Sequence, residues 1–378
     1  MKDIAFVVSG YPTKTDPSYA FIQPIVHAIA DRGYHCTVIA PQNMTAIYLK
    51  GREKKAKRWK KTTESGNYIE IIRPSFISFS TAKLFGNNLS QIMRLWALKK
   101  TVRQLHLNPD VVYAHFWDNG VIAGIAFSHV PVFVGVGESK IRVRRLFSDG
   151  LIKRGLKSIK GVISVSTENI KESKELALLT SEMKECILPN GVNKHIFCQM
   201  DKVMAREQLR FRQEDLIAIF VGTFCERKGV LRVVEAAKRI PDIKLILIGK
   251  GEQKPESDQI IYMGQVPHDE IPIYLSASDF FVLPTQAEGC CNAIIEGMAC
   301  GLPIISSDGE FNDDILNSSN SIRINPNSID EIAAAMKKLA EDYELRKRMS
   351  EASLDFADEL SIEKRACKIV EFIETMES

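Results

Sequence analysis

The sequence predicts an α/β protein of two doubly wound, Rossmann-like domains facing a central cleft. Three observations carry this. At 378 residues the chain is too long for one ordinary core. Short apolar runs alternate with segments whose apolar residues recur at helical spacing, the pattern of parallel βαβ units. That alternation begins afresh near residue 216.

In order, residues 4–8 read as a buried strand, 19–32 as a helix stopped by Gly33, and 36–40 as a second strand ended by Pro41. Short strands follow at 111–114, 131–136 and 161–165. The second series has strands at 216–221, 244–248, 260–263, 280–283 and 303–306, with helices at 269–276 and 292–299. Helices at 328–339, 343–357 and 362–377 close the chain. The boundary falls near Leu188-Pro189-Asn190-Gly191, giving domains 1–190 and 191–361. In open sheets of this kind ligands bind at the carboxyl ends of the strands.

The densest chemistry lies in Glu288-Gly289-Cys290-Cys291-Asn292 and on to Glu296. Pro284 ends the strand before it, so Glu288 sits in a strand-to-helix turn and Glu296 lies about one turn inside the helix. Between the two carboxylates are the free amides of a helix N-terminus, a phosphate cradle. A ligand with an anion in the middle and a polyol at each end suits that spacing, and a nucleotide diphosphate sugar is one. Solvated carboxylates at a helix start are the plainer alternative.

The stretch resembles the E-x7-E signature of glycosyltransferase family 4, retaining enzymes of the GT-B fold. The resemblance implies that Glu288 bonds donor-sugar hydroxyls and Glu296 the ribose. Gly222-Thr223-Phe224-Cys225-Glu226-Arg227-Lys228-Gly229 is similar to the family's G-R-x-x-x-x-K-G loop, whose cations neutralise the departing diphosphate. Lys228 holds the Lys position, Thr223 stands where the Arg would be, and Arg227 is the neighbouring replacement. Gly249-Lys250-Gly251 resembles the family's G-x-G turn, and Gly264-Gln265-Val266 the segment whose backbone reads the base. Leu188-Pro189-Asn190-Gly191-Val192 matches the P-N-G-V-D link, with Asn193 for Asp. Donor binding is therefore assigned to Thr223, Arg227, Lys228, Gly249, Gln265, Val266, Gly289, Cys290, Cys291, Asn292 and Glu296. The final helix, 362–378, is expected to pack back on the first domain, as in that fold.

The first half matches by pattern. After the first strand Tyr11-Pro12-Thr13-Lys14-Thr15-Asp16-Pro17 replaces the family's Gly-Gly turn, and Gly137 stands where many members have a His. Glu138 and Ser139 are the local substitutes at the reacting centre, and Glu138 is the one assigned a catalytic role. His115, after another strand, is the second candidate. The catalytic set is thus Glu288, His115 and Glu138.

Composition narrows the class. With 45% apolar and 26% charged residues the chain reads as a soluble globular protein. No apolar run approaches a membrane span, and the apolar start is too short for a signal peptide. Eight cysteines without CxxC spacing read as reduced thiols in a cytoplasmic protein. Residues 1–190 hold 28 Lys+Arg against 15 Asp+Glu, whereas residues 191–378 hold 22 against 32. A basic first half suggests an anionic partner. Its densest stretches are Gly51–Lys61 and the apolar-basic segment Lys140–Lys160, in the half that binds acceptor in this family. No nucleic-acid-binding module accompanies the charge.

The implied function is a retaining, metal-independent hexosyltransferase without cofactor. It would use a nucleotide diphosphate sugar, a UDP-sugar before a GDP-sugar. The acceptor would be a hydroxyl of a growing, lipid-linked glycan in surface polysaccharide synthesis, at the inner face of the membrane. The rivals are a nucleotide-sugar 2-epimerase of the same fold and a non-catalytic, nucleotide-sugar-binding subunit.

Overall fold

The computed structural model describes residues 2–13, 15–16 and 18–376. Lys14 and Pro17 of the first turn, and the end of the terminal helix at Glu377, lie outside the described residues. The chain divides into two compact units, Met1–Leu188 with Arg365–Ser378, and Pro189–Lys364.

The first unit is built on an eight-stranded sheet. Its strands are β1 (Asp3–Val7), β2 (His35–Ile39), β3 (Arg58–Thr62), β4 (Tyr68–Ile72), β5 (Val111–His115), β6 (Val132–Val136), β7 (Ile159–Ser164) and β8 (Lys184–Ile187). Their spatial order is β8-β7-β6-β5-β1-β2-β4-β3, parallel throughout except for β3 against β4. The central strands β5 and β6 are buried at every position, which is why they read as unbroken apolar runs. The first helix, Ile22–Asp31, buries Ile22, Ile25, Val26, Ile29 and Ala30. It starts three residues later than its spacing suggests, because Tyr19 takes φ +63° and the Ile22 amide donates to the Tyr19 carbonyl in a turn. Helix Ile362–Glu374 belongs mostly to this unit. Its Ala366, Ile369, Val370 and Ile373 join the core around Phe6, Phe133 and Ile163.

Both basic stretches run into strands of this sheet. Within Gly51–Lys61, residues from Arg58 onward form the antiparallel edge strand β3. There Trp59 lies under the Arg73 guanidinium at 3.7 Å, and Arg58 pairs with Glu70 at 2.5 Å. A cationic edge discourages strand addition. Lys140–Lys160 is no single amphipathic helix. It forms Val143–Leu146 and Asp149–Leu156, broken at the extended, buried Phe147, and then runs into β7.

The second unit has a six-stranded, all-parallel sheet. Its strands are β9 (Leu216–Val221), β10 (Ile243–Ile248), β11 (Ile260–Gly264), β12 (Phe280–Leu283), β13 (Ile304–Ser307) and β14 (Ser321–Ile324). The order β11-β10-β9-β12-β13-β14 is the doubly wound 3-2-1-4-5-6 arrangement, with its switch point between β9 and β12. In the first unit the corresponding reversal lies between β1 and β5.

Candidate functional site

In the second unit the switch point brings the loop after β9 against the loop after β12, and the two are tied together. The Gln286 amide donates to the Arg227 carbonyl at 2.9 Å, and Arg232 Nη2 donates to the Pro284 carbonyl at 3.1 Å. Gly229, at φ +79°, makes that approach possible. A Cβ there would stand 2.6 Å from the Arg232 guanidinium and 2.9 Å from the Pro284 carbonyl.

Glu288 is the hub of this junction. Its Oε1 accepts from Arg227 Nη1 at 2.6 Å and Thr285 Oγ1 at 2.8 Å, and pairs with Lys228 Nζ at 2.6 Å. Burial alone would raise the Glu288 pKa, but Lys228, with Thr285 and Arg227, outweighs it and holds the carboxyl below its ordinary value. Burial would likewise depress Lys228, and the Cys291 sulfur and Glu288 pull it up instead. Burial keeps the Cys291 thiol protonated, so at neutral pH the partner of Lys228 is Glu288.

Cys291 caps helix Asn292–Ala299 with extended backbone and no side-chain capping bond. The Cys291 sulfur lies against the Ala293 and Ile294 amides, and the Ile294 amide also donates to the Cys291 carbonyl at 3.2 Å, so this helix start is closed by its own cap residue. One turn further on, the Glu296 carboxylate bonds His268 Nε2 at 3.0 Å, and His268 stacks edge-on against Phe197 with centroids 5.0 Å apart. Glu296 raises the His268 pKa against the opposing effect of burial. Asn190 steadies the same loop, its Nδ2 reaching the Cys290 carbonyl at 3.2 Å and Asn292 Oδ1 at 2.8 Å.

The remaining sequence-derived residues line the same strand ends. Gly249, at φ +147°, lies where a Cβ would stand 1.9 Å from the Gly222 carbonyl. Thr223 and Gln265 are exposed, Val266 is half-buried and Gly289 is buried. His268 and the anchoring role of Asn190 escape sequence reading. No periodicity marks a histidine in an exposed loop, and Asn190 reads only as part of a link.

The first unit assembles a different site. His115 ends β5, buried at 6% exposure, with its ring 5.3 Å from Phe21 and 4.3 Å from Phe116. Its Nδ1 is buried with no hydrogen-bond partner. Burial, with Arg365 adding to it, lowers its pKa to about 3, so the imidazole is neutral. Phe116 holds φ +76°, ψ +152°, a region natural only to glycine. Glu138 explains how that backbone is held. Its Oε1 accepts from the Trp117 amide at 2.8 Å and its Oε2 from the Gly137 amide at 3.0 Å. Both oxygens of this catalytic candidate thus serve the backbone beside His115. Burial pushes the Glu138 pKa up to about 7, against the pull of those amides.

A cavity of about 750 Å³ opens at the carboxyl ends of β1 and β2. On its wall Arg94 bonds Asp118 at 2.9 Å, Asn119 at 2.5 Å and Gln91 at 2.7 Å. Among the described residues no group of three His, Cys, Asp or Glu side chains is placed to hold a metal ion. No helix among them is long and apolar enough to cross a membrane.

Residues 201–355 match the family described as glycosyl transferases group 1. The putative teichuronic acid biosynthesis glycosyltransferase TuaC of Bacillus subtilis is 27% identical over 89% of this chain and 88% of its own length. The UDP-Gal:alpha-D-GlcNAc-diphosphoundecaprenol alpha-1,3-galactosyltransferase of Escherichia coli is 26% identical, over 81% of this chain and 86% of its own. The crystal structure of Anabaena HepE in complex with UDP-glucose superposes with a TM-score of 0.71 at 17% identity, covering 99% of this chain and all of that one. The fold is GT-B, and the part of the chain that resembles the group 1 glycosyl transferases lies within its second unit.

Proposed function

We propose that this protein is a retaining, metal-independent hexosyltransferase of family 4 type. It moves a hexosyl unit from a nucleotide diphosphate sugar, a UDP-sugar first, to a hydroxyl of a growing, lipid-linked glycan in surface polysaccharide synthesis. The observation that carries this is the convergence of Arg227, Lys228, Glu288 and the start of helix Asn292–Ala299 at one switch point, with Glu296 a turn beyond. A diphosphate takes the place beside Lys228, Arg227 and the helix start, which supply the positive charge a metal would otherwise bring. Glu296 takes the ribose, Glu288 the donor sugar. The backbone near Gln265 and Val266 takes the base, and Gly249 leaves room for it. The basic first unit takes the acceptor, and the neutral His115 contacts the substrate. The names of the relatives, with their teichuronic acid and diphosphoundecaprenol-linked glycans, support the acceptor class.

Calorimetry with a panel of nucleotide sugars, with and without EDTA, tests the donor half. A UDP-sugar is expected to bind equally in both. Glu296→Ala is expected to weaken UDP and UDP-sugar alike, by about 1.5–3 kcal/mol, the range for a lost hydrogen bond to a charged group. Binding that needs a divalent cation would overturn metal independence, and unchanged affinity in Glu296→Ala would remove the ribose assignment. Donor hydrolysis by the purified protein separates an enzyme from a non-catalytic binding subunit, and product analysis without acceptor separates it from a 2-epimerase.

A further inference from the structure

Between Glu70 and Asp110 the chain holds six Lys or Arg and no carboxylate. This stretch also holds an unusual turn. Lys83–Leu84 pairs antiparallel with Asn87–Asn88, and the two residues between them, Phe85 and Gly86, take φ +46° and +78°. That is the geometry of a two-residue turn which favours Asn-Gly. Phe is therefore a poor choice for the backbone, and at 89% exposure it gains nothing from internal packing. Leu84 beside it is also exposed. An aromatic ring held at a backbone cost, without an internal partner, serves something outside the molecule.

The turn is not alone. Tyr48 and Leu49 project at 71% and 80% exposure from helix Met44–Lys50, and Phe79 is exposed on the segment before the turn. Hydrogen bonds join these pieces. Thr45 Oγ1 donates to the Ser78 carbonyl at 3.1 Å, the Phe79 amide donates to Ser90 Oγ at 2.9 Å, and the Ser148 amide donates to Asn87 Oδ1 at 2.8 Å. The last bond ties the turn to the segment that carries the exposed Arg145, whose neighbour Arg144 is held by Asp149 at 2.6 Å and by the Leu176 carbonyl. Lys83 lies within the turn, and Lys50 and Arg52 follow Leu49.

We infer that this surface docks the protein on an anionic lipid bilayer. Leu84, Phe85, Tyr48 and Leu49 enter the interface, and Lys50, Arg52, Lys83 and Arg145 meet the headgroups. Separate apolar tips flanked by cations suit a bilayer, which takes each tip individually and rewards positive charge. A folded protein partner would instead favour a continuous apolar patch. The inference does not rest on the donor assignment.

The test uses the full chain and vesicles of phosphatidylcholine, with or without an equal share of phosphatidylglycerol, in a sedimentation assay. Binding is expected to the anionic vesicles only and to fall as salt rises. L84S/F85N is expected to lose about tenfold or more in partitioning, since each apolar side chain contributes through its buried area. Asn suits the left-handed position, so this variant should fold with unchanged or higher melting temperature. Its nucleotide affinity should equal that of the parent, which keeps failure here separate from failure of the donor site. A second variant, Y48S/L49S, should lose binding in the same way. Three results would overturn the proposal: no binding of the parent to anionic vesicles at low salt, full binding by both variants, or a parent dimer that L84S/F85N dissociates.

Discussion

The switch points of the two units have the same topological position and opposite chemistry. In the second unit the loops after β9 and β12 meet through charge, with one carboxylate oxygen shared by Arg227, Lys228 and Thr285. In the first, the reversal between β1 and β5 meets through rings, with Phe21 and Phe116 around an imidazole that burial keeps neutral. A charged junction suits a ligand whose charge must be matched. A neutral, strained one suits a group that must be positioned without being ionised. The contrast teaches that doubly wound architecture fixes where a ligand goes, while the loop residues decide what chemistry it meets.

The sharpest way to break the comparison is to change the carboxylate and its partner separately. Glu288→Gln keeps the shape and removes the charge. Turnover is expected to fall about 100-fold or more, as for loss of one group acting on the transition state, with nucleotide affinity changed far less. Lys228→Ala is expected to reverse that ranking, costing about 1.5–3 kcal/mol in nucleotide binding through loss of a charge-assisted bond. Calorimetry with free nucleotide, beside single-turnover rates, separates the two. Equal losses in both measurements for Glu288→Gln would remove it from the sugar and make it a mere spacer for its two cations.

The second unit is the more legible of the two in sequence, and the reason is physical. A parallel sheet buried on both faces must use unbroken apolar runs, so β9 and β12 show their boundaries in the sequence. Helix Asn292–Ala299 ends in Gly301, at φ +77°, followed by Pro303, which marks its end equally plainly. The E-x7-E spacing then places Glu288 and Glu296 on the correct elements. In the first unit β3 and β4 escape notice, because an edge strand carrying Arg58, Lys60 and Lys61 resembles a solvated run. Glu138 reads as a reacting group because a sequence cannot show that both carboxylate oxygens are engaged by backbone amides. His268 becomes visible only in three dimensions, since its partner Glu296 lies 28 residues away.

Glu138 supplies the test for the first unit. Its pKa is raised from 4.5 to about 7 by burial, so the folded state binds this proton more readily than the unfolded one. Between those values stability falls as pH rises, because the native carboxyl is forced to ionise in a poorly solvated place. A tenfold change in proton affinity corresponds to about 1.4 kcal/mol, and solvent reaching the half-buried side chain limits the net effect to about 1–2 kcal/mol. Glu138→Gln is expected to flatten this decline in thermal melts taken from pH 5 to pH 8. If Glu138 instead exchanges a proton with substrate, the variant would lose turnover while the pH dependence of its melting stayed as in the parent.

The smallest effect separates the two ends of the donor site. His268 gains its raised pKa chiefly from Glu296, so the pair stabilises the fold fully only below the ordinary histidine value near 6.5. That contribution is lost as pH rises through the higher folded value. The His268 side chain is 66% exposed and the Glu296 side chain 13% exposed, so solvent leaves the pair worth about 0.5 kcal/mol. His268→Ala is thus expected to lower the melting temperature slightly at pH 6 and not measurably at pH 8. Nucleotide binding adds a sign of its own. If Glu296 takes the ribose, a protonated His268 competes for the same carboxylate, and nucleotide affinity should improve modestly from pH 6 to pH 8 in the parent. In His268→Ala that pH dependence should shrink, because the competitor is gone. An affinity that rises equally in both proteins would place the titrating group on the nucleotide or elsewhere in the site, and leave His268 as packing against Phe197 alone.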